Sequence, residues 1–332
     1  VYRELSVAFS FTDEERVRIT EALTAIRVSP YKAYPAFRNI IRRLISEDIG
    51  LQRFHNAISW FGAQSSYDQP FFFAENCPID ADLPEFSNED PVVEKYAKKK
   101  TFVAEGFLQI FADLSGQHPI SYMNVNDGDV FQDIFPKESL KHTQSQKALG
   151  PINFHKDLAN HFVRPDYVNI LGLRSHEANE ICTTFVSNRD VLENVSATTR
   201  DVLRQTEFYT PFDDLTTSEN RVDVGRAPNH PILSGDADIR FFENRTEGLT
   251  ARAKAAVAEL LEVAHAHKAK VLMRPGDFVS IANNLSLHGK EIHRVASEEQ
   301  KAKRWSIKTV NVQSIAPHVR RLVEGTDYLV NG

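Results

Sequence analysis

The chain has 332 residues, 42% hydrophobic and 25% charged, with a formal net charge of −6 at pH 7. Such a composition builds the core of one large or two small globular domains. The acidic balance, with no basic run beyond Lys98-Lys99-Lys100, disfavours a nucleic-acid groove, and that tripeptide reads as a solvated surface. No stretch approaches the ~18 consecutive apolar residues of a membrane span, and no leader pattern is visible. Cys77 and Cys182 are too few for a disulfide framework; one bridge is conceivable, but Cys182 sits in an apolar run and reads as a buried thiol. A cytoplasmic protein is the expectation, and a homodimer is the base-rate expectation for assembly.

In chain order, residues 12–28 read as a helix that Thr12 can cap, with Glu14 and Glu15 in its first turn. Residues 34–48 read as a second, because Phe37, Ile40, Ile41, Leu44 and Ile45 recur at helical spacing. Residues 50–63 fit a short helix or a strand. Residues 64–92, rich in Pro, Asp and Asn, read as a long surface connection, and 93–114 as one more helix. The character then changes. Residues 119–135 hold polar turns and short apolar pieces. Strands are expected at 168–173, 181–186, 231–243 (around Gly235), 270–273, 278–282 and 304–313. Helices are expected at 190–205, where one or two fit, and at 249–268 with Thr250 as cap. Residues 209–230 read as a loop. The reading is a mainly β fold with flanking helices: a mainly helical part, 1–115, then a β-sandwich or jelly-roll core, 116–332, in a single catalytic domain. No Gly-rich phosphate loop follows an early strand, so a doubly wound α/β fold fits poorly.

The strongest chemical signal is His155-Lys156-Asp157. On an extended strand His155 and Asp157 face one side while Lys156 faces the other. His288, after a strand-like run and a turn, adds a second imidazole. Two histidines and one carboxylate hold non-haem Fe(II) on one face and leave the other open. Spacing alone does not choose His288 among the 12 histidines, and a half-buried strand with a hydrogen-bonded histidine accounts for the same pattern.

The flanks are more specific. Phe131-Gln132-Asp133-Ile134-Phe135-Pro136, His142-Thr143-Gln144-Ser145-Gln146, Phe154-His155-Lys156-Asp157 and Arg164-Pro165-Asp166-Tyr167 form a first block. His288-Gly289-Lys290 and Lys303-Arg304-Trp305 form a second. Over residues 128–312 the chain resembles the Fe(II)/2-oxoglutarate-dependent oxygenases, in the clavaminate synthase-like branch that acts on free amino acids. Within that branch it looks most like the bacterial L-lysine hydroxylases. Asp157 stands where the branch usually has Glu, Asp being the usual acid elsewhere in the superfamily, and Lys290 stands where the branch often has Arg.

The resemblance implies a double-stranded β-helix (jelly-roll) core, with Fe(II) on His155, Asp157 and His288 and no catalytic side chain beyond those ligands. It implies 2-oxoglutarate as co-substrate, held by Arg304 and Thr183 with Thr184 as the rival hydroxyl, and O2 as oxidant. A planar guanidinium suits a carboxylate bidentately. The retained carboxylate favours hydroxylation over halogenation, while desaturation uses the same ligands. The implied reaction is hydroxylation of a free L-amino acid, L-lysine first and C4 before C3, with arginine, asparagine or a related amino acid as alternatives. Candidate substrate contacts are Ser145, Gln146, Asp213, Asp214, Asp238, Glu243 and Lys308, and residues 209–230 are a candidate lid. A cupin-like ligand-binding protein without turnover is the alternative of a different class. A zinc hydrolase lacks support, since no HExxH motif occurs.

Overall fold

The computed structural model describes residues 3–47, 49–211 and 227–331. The elements run β1 (Arg3–Glu4), β2 (Phe9–Ser10), α1 (Asp13–Thr24), α2 (Tyr34–Ser46), α3 (Gln52–Gly62), β3 (Phe71–Glu75), α4 (Pro91–Lys98), α5 (Val103–Ser115), β4 (His118–Tyr122), β5 (Gln132–Ile134), β6 (Ile152–His155), β7 (Tyr167–Arg174) and β8 (Glu180–Ser187). They continue with α6 (Asn188–Asn194), α7 (Ala197–Leu203), β9 (Phe208–Tyr209), β10 (Leu233–Ser234), β11 (Asp238–Ile239), β12 (Glu247–Gly248), α8 (Ala251–His267), β13 (Ala269–Val271), β14 (Phe278–Ala282), β15 (Ser286–Arg294), α9 (Glu298–Ala302), β16 (Trp305–Val312) and β17 (Leu329–Val330).

Two sheets carry the fold. The larger has strand order β17-β4-β16-β7-β14-β3-β2, with β5 also on β16; the smaller has β1-β13-β8-β15-β6. The strands of the larger sheet are buried on both faces, so each alternates between two cores. Phe72, Leu171, Phe278 and Ile307 pack toward the N-terminal helices. Their neighbours Phe73, Ile170, Val279 and Val310 pack inward against Phe185 of the smaller sheet. The outer face of the smaller sheet, through Val186 and Leu287, packs on α6 to α8. The content is therefore mixed α/β, more helical than the expected mainly β chain.

The N-terminal helices form for local reasons. Thr12 and Glu15 close a capping box on α1, each accepting from the other's backbone amide at 3.2 and 2.9 Å. Helix α5 is buried from Val103 to Ala112 and drives Phe107 and Phe111 onto Phe278, ring centroids 5.3 and 4.6 Å apart. At Gly106 a Cβ would lie 2.6 Å from Leu23 Cδ2, so the missing side chain lets α1 approach α5.

Three expectations for this half change. The "surface connection" 64–92 contains β3, whose Phe72 and Ala74 are 1% and 0% exposed. An unbroken apolar run shows no period-2 alternation when both faces are covered. The single helix expected over 93–114 is two, α4 and α5. The third change lies between them. Lys99 is not solvated: its ammonium is buried against Asp80 (2.9 Å) and Glu105 (2.8 Å), while Lys98 and Lys100 are exposed. Lys95 is buried likewise, against Asp133 (2.6 Å) and Asp129 (3.2 Å), and Asp133 also accepts from Trp305 Nε1 (3.0 Å). The 190–205 helix resolves into two, and Cys77 and Cys182 are free and buried. Among the described residues, no helix is long and apolar enough to cross a membrane.

Candidate metal centre

His155 is the last residue of β6, the edge strand of the smaller sheet, and pairs in register with His288 on β15. Directly paired residues of antiparallel strands present their side chains to one face. The two imidazoles accordingly meet, ring centroids 4.4 Å apart. Asp157 follows two residues on, and its Oδ1 lies 3.2 Å from His155 Nε2 and 3.7 Å from His288 Nε2. One donor atom from each residue falls within 4.8 Å of the others, the only such metal-competent group found among the described residues. Thus the sequence-predicted triad converges, between the sheets.

Two of the donors, His155 and Asp157, are oriented by a further contact. His155 Nδ1 lies 2.9 Å from Asn153 O, leaving Nε2 for a metal. Lys308 Nζ donates to Asp157 Oδ2 at 2.7 Å, leaving Oδ1 facing the imidazoles. Asn283 holds the Asp157 backbone from both sides: its Oδ1 accepts from Asp157 N (3.0 Å) and its Nδ2 donates to Asp157 O (3.0 Å) and Pro165 O (2.9 Å). Asp166 pins the same turn. Its backbone carbonyl accepts from Asn283 N (2.8 Å) and its carboxylate from Asn284 Nδ2 and Gln313 N (2.8 Å each). Asn283 was not singled out in the sequence. Its only signal there is a buried amide five residues before a candidate ligand, and burial is not written in residue type.

Gly289, next to His288, has a steric reason. A Cβ there would lie 2.7 Å from Ile152 O and 3.1 Å from Thr184 Oγ1. Only glycine lets β15 approach β6 closely enough for the histidines to meet.

The electrostatics match a metal site. Burial pushes the Asp157 carboxyl up, but Lys308 and the two imidazoles more than offset that and hold it well below the usual carboxylate range. Burial, then the neighbouring His155, pulls His288 down to about 3, so its ring is neutral and ready to ligate. His288 Nδ1 is buried without a hydrogen-bond partner among the described residues. This donor set of two imidazole nitrogens and one carboxylate oxygen fits Fe(II).

Residues expected to hold a co-substrate lie on the same inward face. Thr183 is paired with Lys290, two residues from His288, and so shares its face; Thr184 is paired with Gly289 and points the other way. Along β16, Trp305 and Ile307 face the helices, which turns Arg304, Ser306 and Lys308 inward. Arg304 is 9% exposed, and its guanidinium has no ion pair or hydrogen bond among the described residues, with Nε fully buried. Burial lowers Arg304 to about 10. Gln132 Nε2 and Gln146 Oε1 are also buried and unpaired. A cavity of about 170 Å³ reaches Arg304 from the side of His176 and Gln300. The orphaned donors Arg304 Nε and Gln132 Nε2 fit an absent carboxylate-bearing molecule.

The remaining candidates separate. Gln146 lines a small cavity with Arg304 and Lys290. Ser145 accepts from Lys147 N through its hydroxyl, capping a turn (3.2 Å). Asp238 is taken by Lys156 (2.5 Å) and Arg164 (3.6 Å). Glu243 accepts from Phe154 N (2.9 Å) and bonds His265 Nε2 (2.8 Å). Asp213 and Asp214, and the 209–230 segment apart from its ends, lie outside the described residues. One wall residue was unforeseen in that role. Phe242 bridges to His155 and lies nearly parallel to its ring at 6.5 Å, with the Arg245 guanidinium 4.1 Å from the Phe242 centroid.

Residues 103–306 match the family described as taurine catabolism dioxygenase TauD, TfdA. Among curated proteins, the chain is 29% identical over 178 residues to an L-asparagine oxygenase of Streptomyces coelicolor, covering 52% of this chain and 51% of the relative. It is 26% identical over 243 residues to clavaminate synthase 2 of Streptomyces clavuligerus (70% and 71%). It is 28% identical over 182 residues to an L-lysine 3-hydroxylase of Catenulispora acidiphila (52% and 49%). The match thus spans about half the length of two of these relatives. Among solved structures, an asparagine oxygenase with Fe(II), 2S,3S-3-hydroxyasparagine and succinate superposes with a TM-score of 0.80 at 20% identity, covering 98% of this chain and 99% of that one. The non-heme iron oxygenase OrfP, as a D157A mutant with (3S)-hydroxy-L-Arg, gives 0.77 at 20% identity, covering 97% and 99%. At such identities the likeness carries the fold: a mixed α/β fold related to the double-stranded β-helix oxygenases.

Proposed function

The chain belongs to the taurine catabolism dioxygenase TauD, TfdA family, and from that premise we propose that it hydroxylates a free L-amino acid with Fe(II), 2-oxoglutarate and O2. The convergence of His155, Asp157 and His288 within 4.8 Å carries the reading. In the same reading residues 1–332 form one catalytic domain around a jelly-roll core, with Arg304 and Thr183 holding the co-substrate's distal carboxylate.

Fe(II) bound there supplies the chemistry that couples oxidative decarboxylation of 2-oxoglutarate, to succinate and carbon dioxide, with transfer of one oxygen atom of O2 to a C–H bond. The chain's own task is placement. His155 offers its Nε2, His288 a ring nitrogen and Asp157 its Oδ1, and Lys308 fixes the carboxylate's rotation. Arg304, drawn from water, gives a carboxylate a bidentate partner worth more than it would be in solvent. Phe242 walls off one side of His155 from water.

For the amino acid, lysine, asparagine and arginine are the ones to test first. The engagement of Asp238 and Glu243 by other groups leaves neither to pair with a lysine ammonium. That engagement supports the asparagine reading over lysine.

The test is an amino-acid panel with Fe(II), 2-oxoglutarate and O2, scored for succinate and for a product heavier by one oxygen atom. Succinate coupled to hydroxylated product is the expected result. If no amino acid raises succinate above background, the reading fails.

A further inference from the structure

Lys290 occupies the next inward position on β15 after the ligand His288, in register with Thr183. It is half-buried, and its ammonium has one hydrogen bond among the described residues, to Ala148 O at 2.6 Å. Lys290, Lys301 and Arg304 line one small cavity with Gln146, and no carboxylate lines it. Lys301 is satisfied from outside by Glu298 at 3.1 Å. That leaves two cations, Lys290 and Arg304, converging on a space with no anion among the described residues. Arg304 Nε is buried and unpaired beside it. Like charges held together away from water are costly, and a counter-ion relieves the cost. Elsewhere this chain supplies such counter-ions from its own residues: Lys95 has two carboxylates and Lys99 has two.

We propose that Lys290 is a second cation for the remote carboxylate of the dicarboxylate co-substrate, sharing it with Arg304. This rests on the 2-oxoglutarate reading above and extends it to a residue in the strand of a metal ligand. The geometry gives each cation a part. Arg304 approaches from β16 in the larger sheet and Lys290 from β15 in the smaller, so a carboxylate between them bridges the two sheets. The planar fork fixes the plane of the carboxylate, and the ammonium adds charge without fixing direction. The pair also selects for length. A dicarboxylate that reaches the metal with one end must reach both cations with the other.

The test compares wild type with Lys290→Met, Lys290→Gln and Lys290→Arg. Metal-free protein is titrated calorimetrically with glutarate, which has both carboxylates and no keto group, and with butyrate, which has one carboxylate. Fe(II)-loaded protein is titrated anaerobically with 2-oxoglutarate, following the visible charge-transfer band. The expected result is a 2-oxoglutarate Kd about tenfold or more higher in Lys290→Met and Lys290→Gln, equivalent to ~1.4 kcal/mol. The band position should not move, glutarate binding should weaken in parallel, and Lys290→Arg should recover most of the affinity. A wild-type 2-oxoglutarate affinity in folded Lys290→Met or Lys290→Gln overturns the proposal and leaves the oxygenase reading standing. A loss that Lys290→Arg does not recover, accompanied by a lower melting temperature, also overturns it, since Lys290 would then be only a tether for Ala148. No band in wild type overturns both readings.

Discussion

Lys308 Nζ sits 2.7 Å from Asp157 Oδ2, a buried ion pair joining the larger sheet to the carboxylate between the two histidines. The pair leaves Asp157 Oδ1 turned toward His155 and His288. Removing the ammonium strands a buried carboxylate, at a cost of about 3–5 kcal/mol. Lys308→Met should therefore lower the melting temperature of metal-free protein by several degrees. Fe(II) then supplies the missing positive charge, so the metal-induced rise should be larger in the variant than in wild type. An equal rise in both, measured by differential scanning calorimetry, would show that Lys308 is not the counter-charge.

Metal binding should itself be visible in stability. Fe(II) at 100 times its Kd stabilises a protein by about 2.7 kcal/mol through mass action. Chelator-treated protein should gain that increment on anaerobic Fe(II) addition. His155→Ala, Asp157→Ala and His288→Ala should each abolish it. A variant that keeps the full increment would remove its residue from the ligand set.

Asn283 holds both backbone polar groups of Asp157's peptide neighbourhood. Asn283→Ala leaves them buried without partners, at about 1–3 kcal/mol per group. Loosening of the ligand should weaken Fe(II) binding by roughly 10- to 100-fold. Asn283→Asp, which can accept from Asp157 N but not donate to Asp157 O, should fall between. Fe(II) titrations that give wild-type affinity for the alanine variant would contradict the positioning role.

Gly289→Ala places a methyl group against a backbone carbonyl that cannot rotate away. Strand β15 must move off β6, at about 1–3 kcal/mol, and His288 moves with it. The expected outcome is a weakened anaerobic charge-transfer band at fixed Fe(II) and 2-oxoglutarate. Gly62→Ala is the control, because a Cβ there meets nothing within 4 Å; its band should match wild type.

The metal triad was legible because its chemistry is local: His155 and Asp157 stand two residues apart at the end of β6, and the third is named by a motif. Arg304 and Lys308 could be named but not oriented, since strand phase depends on which face of β16 meets the helices; Trp305, packed on Phe86 and Phe135 in the helix-side core, decides it. Strand β3 was hidden by its own burial, with three consecutive Phe offering no alternation to read. The charge run at Lys98-Lys99-Lys100 misled for the opposite reason. Composition reads lysines as solvated, and it is Asp80 and Glu105, brought in by the fold, that make the burial of Lys99 tolerable. Asp238 and Glu243 have the right type for cation recognition, but type does not reveal that Lys156 and His265 already claim them.

Two of the three donors share one rung of a ladder, His155 opposite His288, and Asp157 follows just past the end of β6. β6 is four residues long and lies at the sheet's margin, with no full strand beside it on its free side among the described residues. An ion there acts as a rivet through a short hinge leaf. Fraying of that leaf would be the cheapest way to release it, so iron residence should follow the opening rate of residues 152–155 and not the global unfolding rate.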